Sequence, residues 1–445
     1  MATYLAAKTS LAHLRADVPV SARLTLDSVA FACLCAFVFS IPWAEQVPLL
    51  AGLVIGRWLG LLTVGAALMR LAATGRVRRL SHYHFWISAF VGWSALSIIW
   101  SVAPDRTLVR IGTYLQLLIM SWLIWELAPT ARRWTALLYS YCFGTVISAT
   151  STIRNAALGL STAQTSMSSE RWRSEGFGEG RYAAKGFDSN ELGLLLALSI
   201  PMTLYLLSRG RRGVVAWACW VQVIVCTVAV VLTGSRGAFI ALIIASGMFI
   251  PAFSNLPRRQ RIVSLAALAG VAAVSASVVP AATWDRLLTI RSELTQGTLS
   301  HRVDIWSAGM SVFREHPFLG VGSGAFGPAT FQLLNIDYVA HNSYLSVLVE
   351  LGLAGAWIFA GLLTCMSAAV LRMERLERWF WAVLLLTWAA GVFALTWEYS
   401  KPTWLLFSLF AVHANLSVNR APALRSGVRQ AQRLRSAPGI PDAEN

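Results

Sequence analysis

VVAWACWVQVIVCTVAVVLTGSRGAFIALIIASGMFIP, residues 214–251, holds one charged side chain, Arg236, in 38 positions. A chain crosses the hydrocarbon core of a bilayer in about 20 apolar residues. This stretch is therefore read as two spans joined by the tight turn Thr233-Gly234-Ser235-Arg236-Gly237. The same pattern recurs along the chain. Apolar stretches are read at 24–42, 49–70, 84–100, 107–128, 134–153, 190–208, 213–232, 236–253, 262–280, 343–371, 379–397 and 402–418. The expectation is an all-α polytopic membrane protein of about 12 transmembrane helices.

Composition agrees with that reading. Of 445 residues, 56% are hydrophobic and only 13% charged, with 19 Trp and a mean hydropathy of +0.59. The formal net charge of +16 comes from 37 Lys and Arg against 21 Asp and Glu. A soluble nucleic-acid binder would intersperse its basic residues with polar ones. Here they form islands between apolar runs, which excludes a soluble globular domain, a disordered chain and a disulfide scaffold. No nucleic-acid partner is expected; the partner is the membrane.

The islands set an orientation. Lys8, Arg15 and Arg23, then Arg70, Arg76, Arg78 and Arg79, then Arg132 and Arg133 fall in alternate loops. So do Arg209, Arg211 and Arg212, then Arg258, Arg259 and Arg261, then Arg372, Arg375 and Arg378, and finally a tail bearing Arg420 to Arg435. Both termini are placed in the cytoplasm, with 1–23 and 419–445 as cytoplasmic ends. No cleavable signal peptide is evident, and the first apolar run reads as an uncleaved anchor. The six Cys (33, 35, 142, 219, 226, 365) lie inside predicted spans and form no metal-type spacing.

Two outer segments break the rule of short turns. One, 154–189, interrupts the spans of 24–280, and the other, 281–342, precedes the last three spans, 343–418. They carry Arg154, Arg171, Arg173, Arg181, Lys185, Arg286, Arg291, Arg302 and Arg314. Long loops translocate regardless of charge, and long loops over a rigid scaffold are where function concentrates.

Several residues there carry chemistry. His341 opens His341-Asn342-Ser343-Tyr344-Leu345 just before a long apolar helix. It is read either as a polar interfacial residue or as a base. Arg236 is either a snorkelling guanidinium or an anion ligand. Arg302 starts an amphipathic helix in which Ile305, Trp306, Gly309, Met310, Val312 and Phe313 share a face and which ends at His316-Pro317. The glycine run 320–324 reads as a hinge or close-packing turn rather than a phosphate loop. Asp188 with Glu191 three residues on has the form of a capping box. Arg57, Arg110, Glu126 and Glu398 stay open between ligand-facing and structural roles.

In order along the chain, Thr233-Gly234-Ser235-Arg236-Gly237, Arg302 with Trp306, His316-Pro317-Phe318-Leu319-Gly320-Val321-Gly322, and His341-Asn342-Ser343-Tyr344-Leu345 with Glu350 and Gly352 resemble the O-antigen ligase family. That family shares its superfamily with O-antigen polymerases and protein O-oligosaccharyltransferases. The resemblance covers about 232–355, and Asp188 with Asn190 resembles its Asp-x-Asn element. It implies an inverting glycosyltransferase at the periplasmic face of a bacterial inner membrane. Its donor would be a glycan on undecaprenyl pyrophosphate and its acceptor a sugar hydroxyl of lipid A core oligosaccharide, in lipopolysaccharide biosynthesis. His341 would be the catalytic base, effective down to a pH of about 6. Arg236 and Arg302 would bind pyrophosphate. Asp188, Asn342 and Glu398 are secondary candidates, and neither a metal ion nor another cofactor is implied. A polymerase, a protein oligosaccharyltransferase and, in a different class, a secondary transporter are the competing readings.

Overall fold

The computed structural model describes residues 20–47, 54–162, 180–210, 213–254, 258–290 and 302–435. His301, Arg171, Arg173 and Arg291, with the ends 1–19 and 436–445, lie outside the described residues.

Among the described residues the regular elements are helices, with no strand. In chain order they are α1 (Val20–Ser40), α2 (Ile55–Thr74), α3 (His82–Leu96), α4 (Pro104–Leu127), α5 (Ala131–Ala157), α6 (Ser189–Ser208), α7 (Val214–Leu232) and α8 (Arg236–Ser246). There follow α9 (Phe249–Ser254), α10 (Arg258–Val278), α11 (Ala281–Leu288), α12 (Arg302–Glu315), α13 (Phe326–Leu334), α14 (Ser343–Leu371), α15 (Arg375–Val392) and α16 (Lys401–Arg435). Six of these, α2, α4, α5, α6, α7 and α14, are long and apolar enough to cross a membrane.

Each apolar stretch read from the sequence falls largely on a helix, but the helices are not all of one kind. The stretch 236–253 divides into α8 and α9 at Gly247. The last helix continues past 418 through the basic segment to Arg435, since Arg is a good helix former.

Helix α6 is the axis. It is apolar all round and buried along nearly its whole length, as a helix without a polar face must be. It packs against α5, α7, α8 and α15. Around this centre α1 packs on α2 and α5, α3 on α14, and α4 on α16. A separate small core of Ile305, Val312, Val321, Ala325, Phe326, Ala340 and Val349 ties α12, the glycine run and α13 to the start of α14.

Helix α14 is not continuous. Gly352 stands at φ 66° and ψ −170° inside it. The carbonyls of Val349 and Glu350 are released there and accept the amides of Val321 and Gly322, at 3.1 and 2.9 Å. Beyond the break, Leu353 donates to the Pro317 carbonyl at 2.8 Å. The Leu351 carbonyl accepts the Trp93 indole at 3.0 Å. Backbone groups left unpaired inside an apolar protein are costly; the glycine run, Pro317 and the Trp93 indole satisfy these.

Candidate active site

Two clamps assemble the residues singled out from the sequence. The first joins Arg302 to His341. Arg302 opens α12, and Trp306 lies one turn further on the same face. The Trp306 indole donates to the Ala340 carbonyl at 3.0 Å, so α12 rests against the residue preceding His341. His341 itself is in the left-handed region at φ 46°, uncommon for a residue other than Gly, Asn or Asp. Asn342 then caps α14, its Oδ1 accepting the amides of Tyr344 and Leu345, both at 3.0 Å. Below it Ser343 Oγ donates to the Leu395 carbonyl at 2.8 Å and accepts the Trp397 amide at 2.7 Å. The start of α14 is held on all sides.

The second clamp joins the segment before α6 to the turn before α8. Ser235 caps α8 by accepting the Ala238 amide, and its hydroxyl donates to Asn190 Oδ1 at 2.8 Å. Arg181 donates to the same oxygen at 2.9 Å. Gly234 has φ 57°, and a Cβ there would meet the Gly180 carbonyl oxygen at 2.9 Å, so the turn accepts only glycine. Arg236, the first residue of α8, donates to the Arg286 carbonyl at 3.2 Å and to Thr289 Oγ1 at 2.9 Å. Asp188 caps α6 through the amides of Asn190 and Glu191, at 2.8 and 3.3 Å. Only that half of the expected capping box is formed.

The clamps meet electrostatically. Burial, with the nearby Arg302 charge adding to it, pushes the His341 imidazole down to about 4, and Asp188 opposes this. The histidine is therefore neutral, and its ring can accept a proton. Burial also lowers the Arg302 guanidinium, with Arg181 and Arg236 repelling it and Asp188 attracting it. Arg181 is lowered in the same way, with Asp188 opposing and Arg236 contributing. His341, Arg302, Arg236, Arg181 and Asp188 thus form one cluster.

Arg181 is the member that sequence reasoning missed. It lies in a loop without periodicity or motif, and its one sequence signal was its membership in the basic group of the first long outer segment. Glu398 belongs elsewhere. It accepts Ser346 Oγ at 2.8 Å and faces Arg110 at 3.5 Å, while Glu350 lies 3.9 Å from the same guanidinium and accepts the Gly324 amide at 2.6 Å. Arg110 stacks on Tyr399, 3.5 Å from the ring centroid. This buried group supports the first half of α14 from behind. Glu126 is likewise structural, bound by Arg70 at 2.7 Å and by the Arg78 amide at 2.8 Å. Arg57 lines a cavity of about 690 Å³, whose walls include Leu61 and Met120 and whose polar residues include Glu45, Glu191 and Lys401. None of Arg236, Arg302 and His341 lines it.

Chemically, the cluster offers a neutral imidazole together with two guanidinium groups at helix starts and a third in a loop, an arrangement suited to an anionic ligand and a proton acceptor together. No curated protein matches the chain. Residues 221–360, which hold Arg236, Arg302, Trp306, the glycine run and His341, match the family model described as O-Antigen ligase, and in that segment the chain carries the domain of the O-antigen ligase family.

Proposed function

We propose that the protein is an O-antigen ligase. It moves a glycan from undecaprenyl pyrophosphate to a sugar hydroxyl of lipid A core oligosaccharide. The observation that carries this reading is the Trp306–Ala340 bond, which sets the Arg302 helix against a neutral His341 inside the family-matched segment. His341 takes the proton of the acceptor hydroxyl. The acceptor oxygen attacks the anomeric carbon from the face opposite the diphosphate, so the configuration inverts. The guanidiniums of Arg236 and Arg302 hold the diphosphate and stabilise its growing charge, a role that a divalent ion fills in other phosphoryl-linked transfers. Asn342 and Asp188 act through position, as caps of α14 and α6. The distribution of basic residues supports cytoplasmic termini in a bacterial inner membrane, with the cluster at the periplasmic face.

The test is incubation of the purified protein in detergent with lipid-linked donor and purified core acceptor, read by a gel shift of the core. Transfer without any ion gradient also separates an enzyme from a transporter. If the core stays bare while lipid-linked chains lengthen, the chain is a polymerase. Glycan on a periplasmic protein instead would identify a protein oligosaccharyltransferase.

A further inference from the structure

The proposed function assigns two arginines to the donor. We infer that Arg181 is a third diphosphate-binding residue, and that with Arg236 and Arg302 it forms a cradle selective for two linked phosphates over one. This rests on the reading of the site given above and extends it to a residue outside the family-matched segment.

The backbone of Arg181 is pinned on both sides. Its carbonyl accepts the Thr162 amide at 2.8 Å and the Thr162 hydroxyl at 3.0 Å. The next amide, of Tyr182, donates to the Leu232 carbonyl at 3.0 Å. The preceding carbonyl, of Gly180, accepts Thr283 Oγ1 at 2.7 Å. The side-chain stem lies along the Gly234 turn, where a Cβ would stand 3.2 Å from Arg181 Cγ. The guanidinium is then fixed by two neutral oxygens, Asn190 Oδ1 at 2.9 Å and the Thr233 carbonyl at 3.4 Å.

That is an expensive place for a cation. Among the described residues Arg181 and Arg302 form no ion pair. Asp188 attracts both, but each is also repelled by Arg236, and Arg302 by Arg181. A half-buried guanidinium held by neutral acceptors is stabilised by an anion that reaches it. Of its five N–H donors, these two bonds use two.

The charge arithmetic of the reaction explains why a third cation is useful. A glycosyl lipid diphosphate carries two negative charges. When the new bond forms between acceptor oxygen and anomeric carbon, the bond from that carbon to the phosphate oxygen breaks. Its electron pair stays on the diphosphate, which then carries a third charge, and the acceptor proton passes to His341. A group that meets this extra charge favours the transition state over the ground state. A monophosphate presents one charge fewer at each stage.

The experiment measures binding of farnesyl diphosphate and farnesyl phosphate to the full chain in detergent. The diphosphate is expected to bind more tightly, and Arg181→Gln to reduce that preference about tenfold, with Arg181→Lys in between. The preference is a ratio taken on one preparation, so a variant that folds in reduced yield still reports it. If Arg181→Gln keeps the full preference while Arg236→Gln and Arg302→Gln lose it, Arg181 is not part of the cradle and the site reading stands. If all three variants keep it, the site reading falls as well.

Discussion

The main chains of Gly320 and Gly352 pass so close that neither position has room for a methyl group. A Cβ on Gly320 would stand 2.6 Å from the Gly352 nitrogen, and one on Gly352 would stand 2.7 Å from the Gly320 nitrogen. Both residues have positive φ. The break in α14 and the glycine run are therefore two sides of one joint.

Gly352→Ala should destabilise the protein on two counts. At φ 66° and ψ −170° an alanine is strained by about 1–3 kcal/mol, and overpacking adds about 1–3 kcal/mol. Thermal unfolding in detergent should fall by several degrees, and Gly320→Ala should behave alike. An unchanged midpoint for both would mean that the joint is looser than its contacts imply.

Arg110 serves two buried carboxylates, those of Glu398 and Glu350. Removing the shared cation leaves like charges facing each other, whereas neutralising one carboxylate leaves a pair. Arg110→Ala should cost about 3–5 kcal/mol and Glu398→Gln clearly less, because Glu350 still pairs the cation. The double variant should regain part of the loss. Chemical unfolding of the three proteins would decide, and equal losses for the two single variants would count against a shared cation.

These two features show what the sequence could and could not disclose. Apolar run length placed the helices, and the Pro317 stop ended α12 where expected. The break at Gly352 was invisible, because a glycine inside an apolar run looks the same whether or not a distant loop takes its neighbours' carbonyls. Of the candidate site, Arg236, Arg302 and His341 stand out in order along the chain. Arg110, Glu350 and Glu398 are far apart in sequence, and only packing brings them together. Arg181 acquires its neighbours through Asn190 and the Gly234 turn, so no local pattern marked it.

His341→Ala is expected to lower the transfer rate about 10²–10⁴-fold while donor binding persists. His341→Asn is the better probe of mechanism, because Asn tolerates the left-handed backbone that His341 adopts at φ 46° and carries no base. Single-turnover transfer alongside donor titration separates the two effects. Rapid transfer by either variant would remove His341 from the mechanism.

The pH dependence follows from the sign of the shift. A base works deprotonated, and burial with Arg302 holds the His341 imidazole down at about 4 instead of 6.5. The acid limb of kcat/KM, which reports the free enzyme, should therefore fall near pH 4 and not at about 6, where an ordinary histidine would put it. A bound diphosphate offsets the arginine charge, so the limb of kcat should lie at higher pH. Coincident limbs at about 6 would contradict the burial of the imidazole.

Arg302→Ala should weaken donor binding about 10–100-fold, the loss of one charge-assisted contact. Arg236→Ala should do the same and also loosen the C-terminal end of α11, because Arg236 holds the Arg286 carbonyl and Thr289. Donor affinity together with proteolysis after residue 285 would distinguish the two. Wild-type affinity in Arg302→Ala would exclude its phosphate role.

Asn190 bonds Arg181 on one side and Ser235 on the other, yet the family-matched segment begins only at residue 221. Recombination that respects that boundary would cut through the joint. A chimera carrying 221–360 from a relative would inherit Arg236, Arg302 and His341 but meet a foreign partner at the Ser235 hydroxyl. An exchange that keeps this joint intact must reach back at least to Arg181, so that the acceptor amide travels with both of its donors.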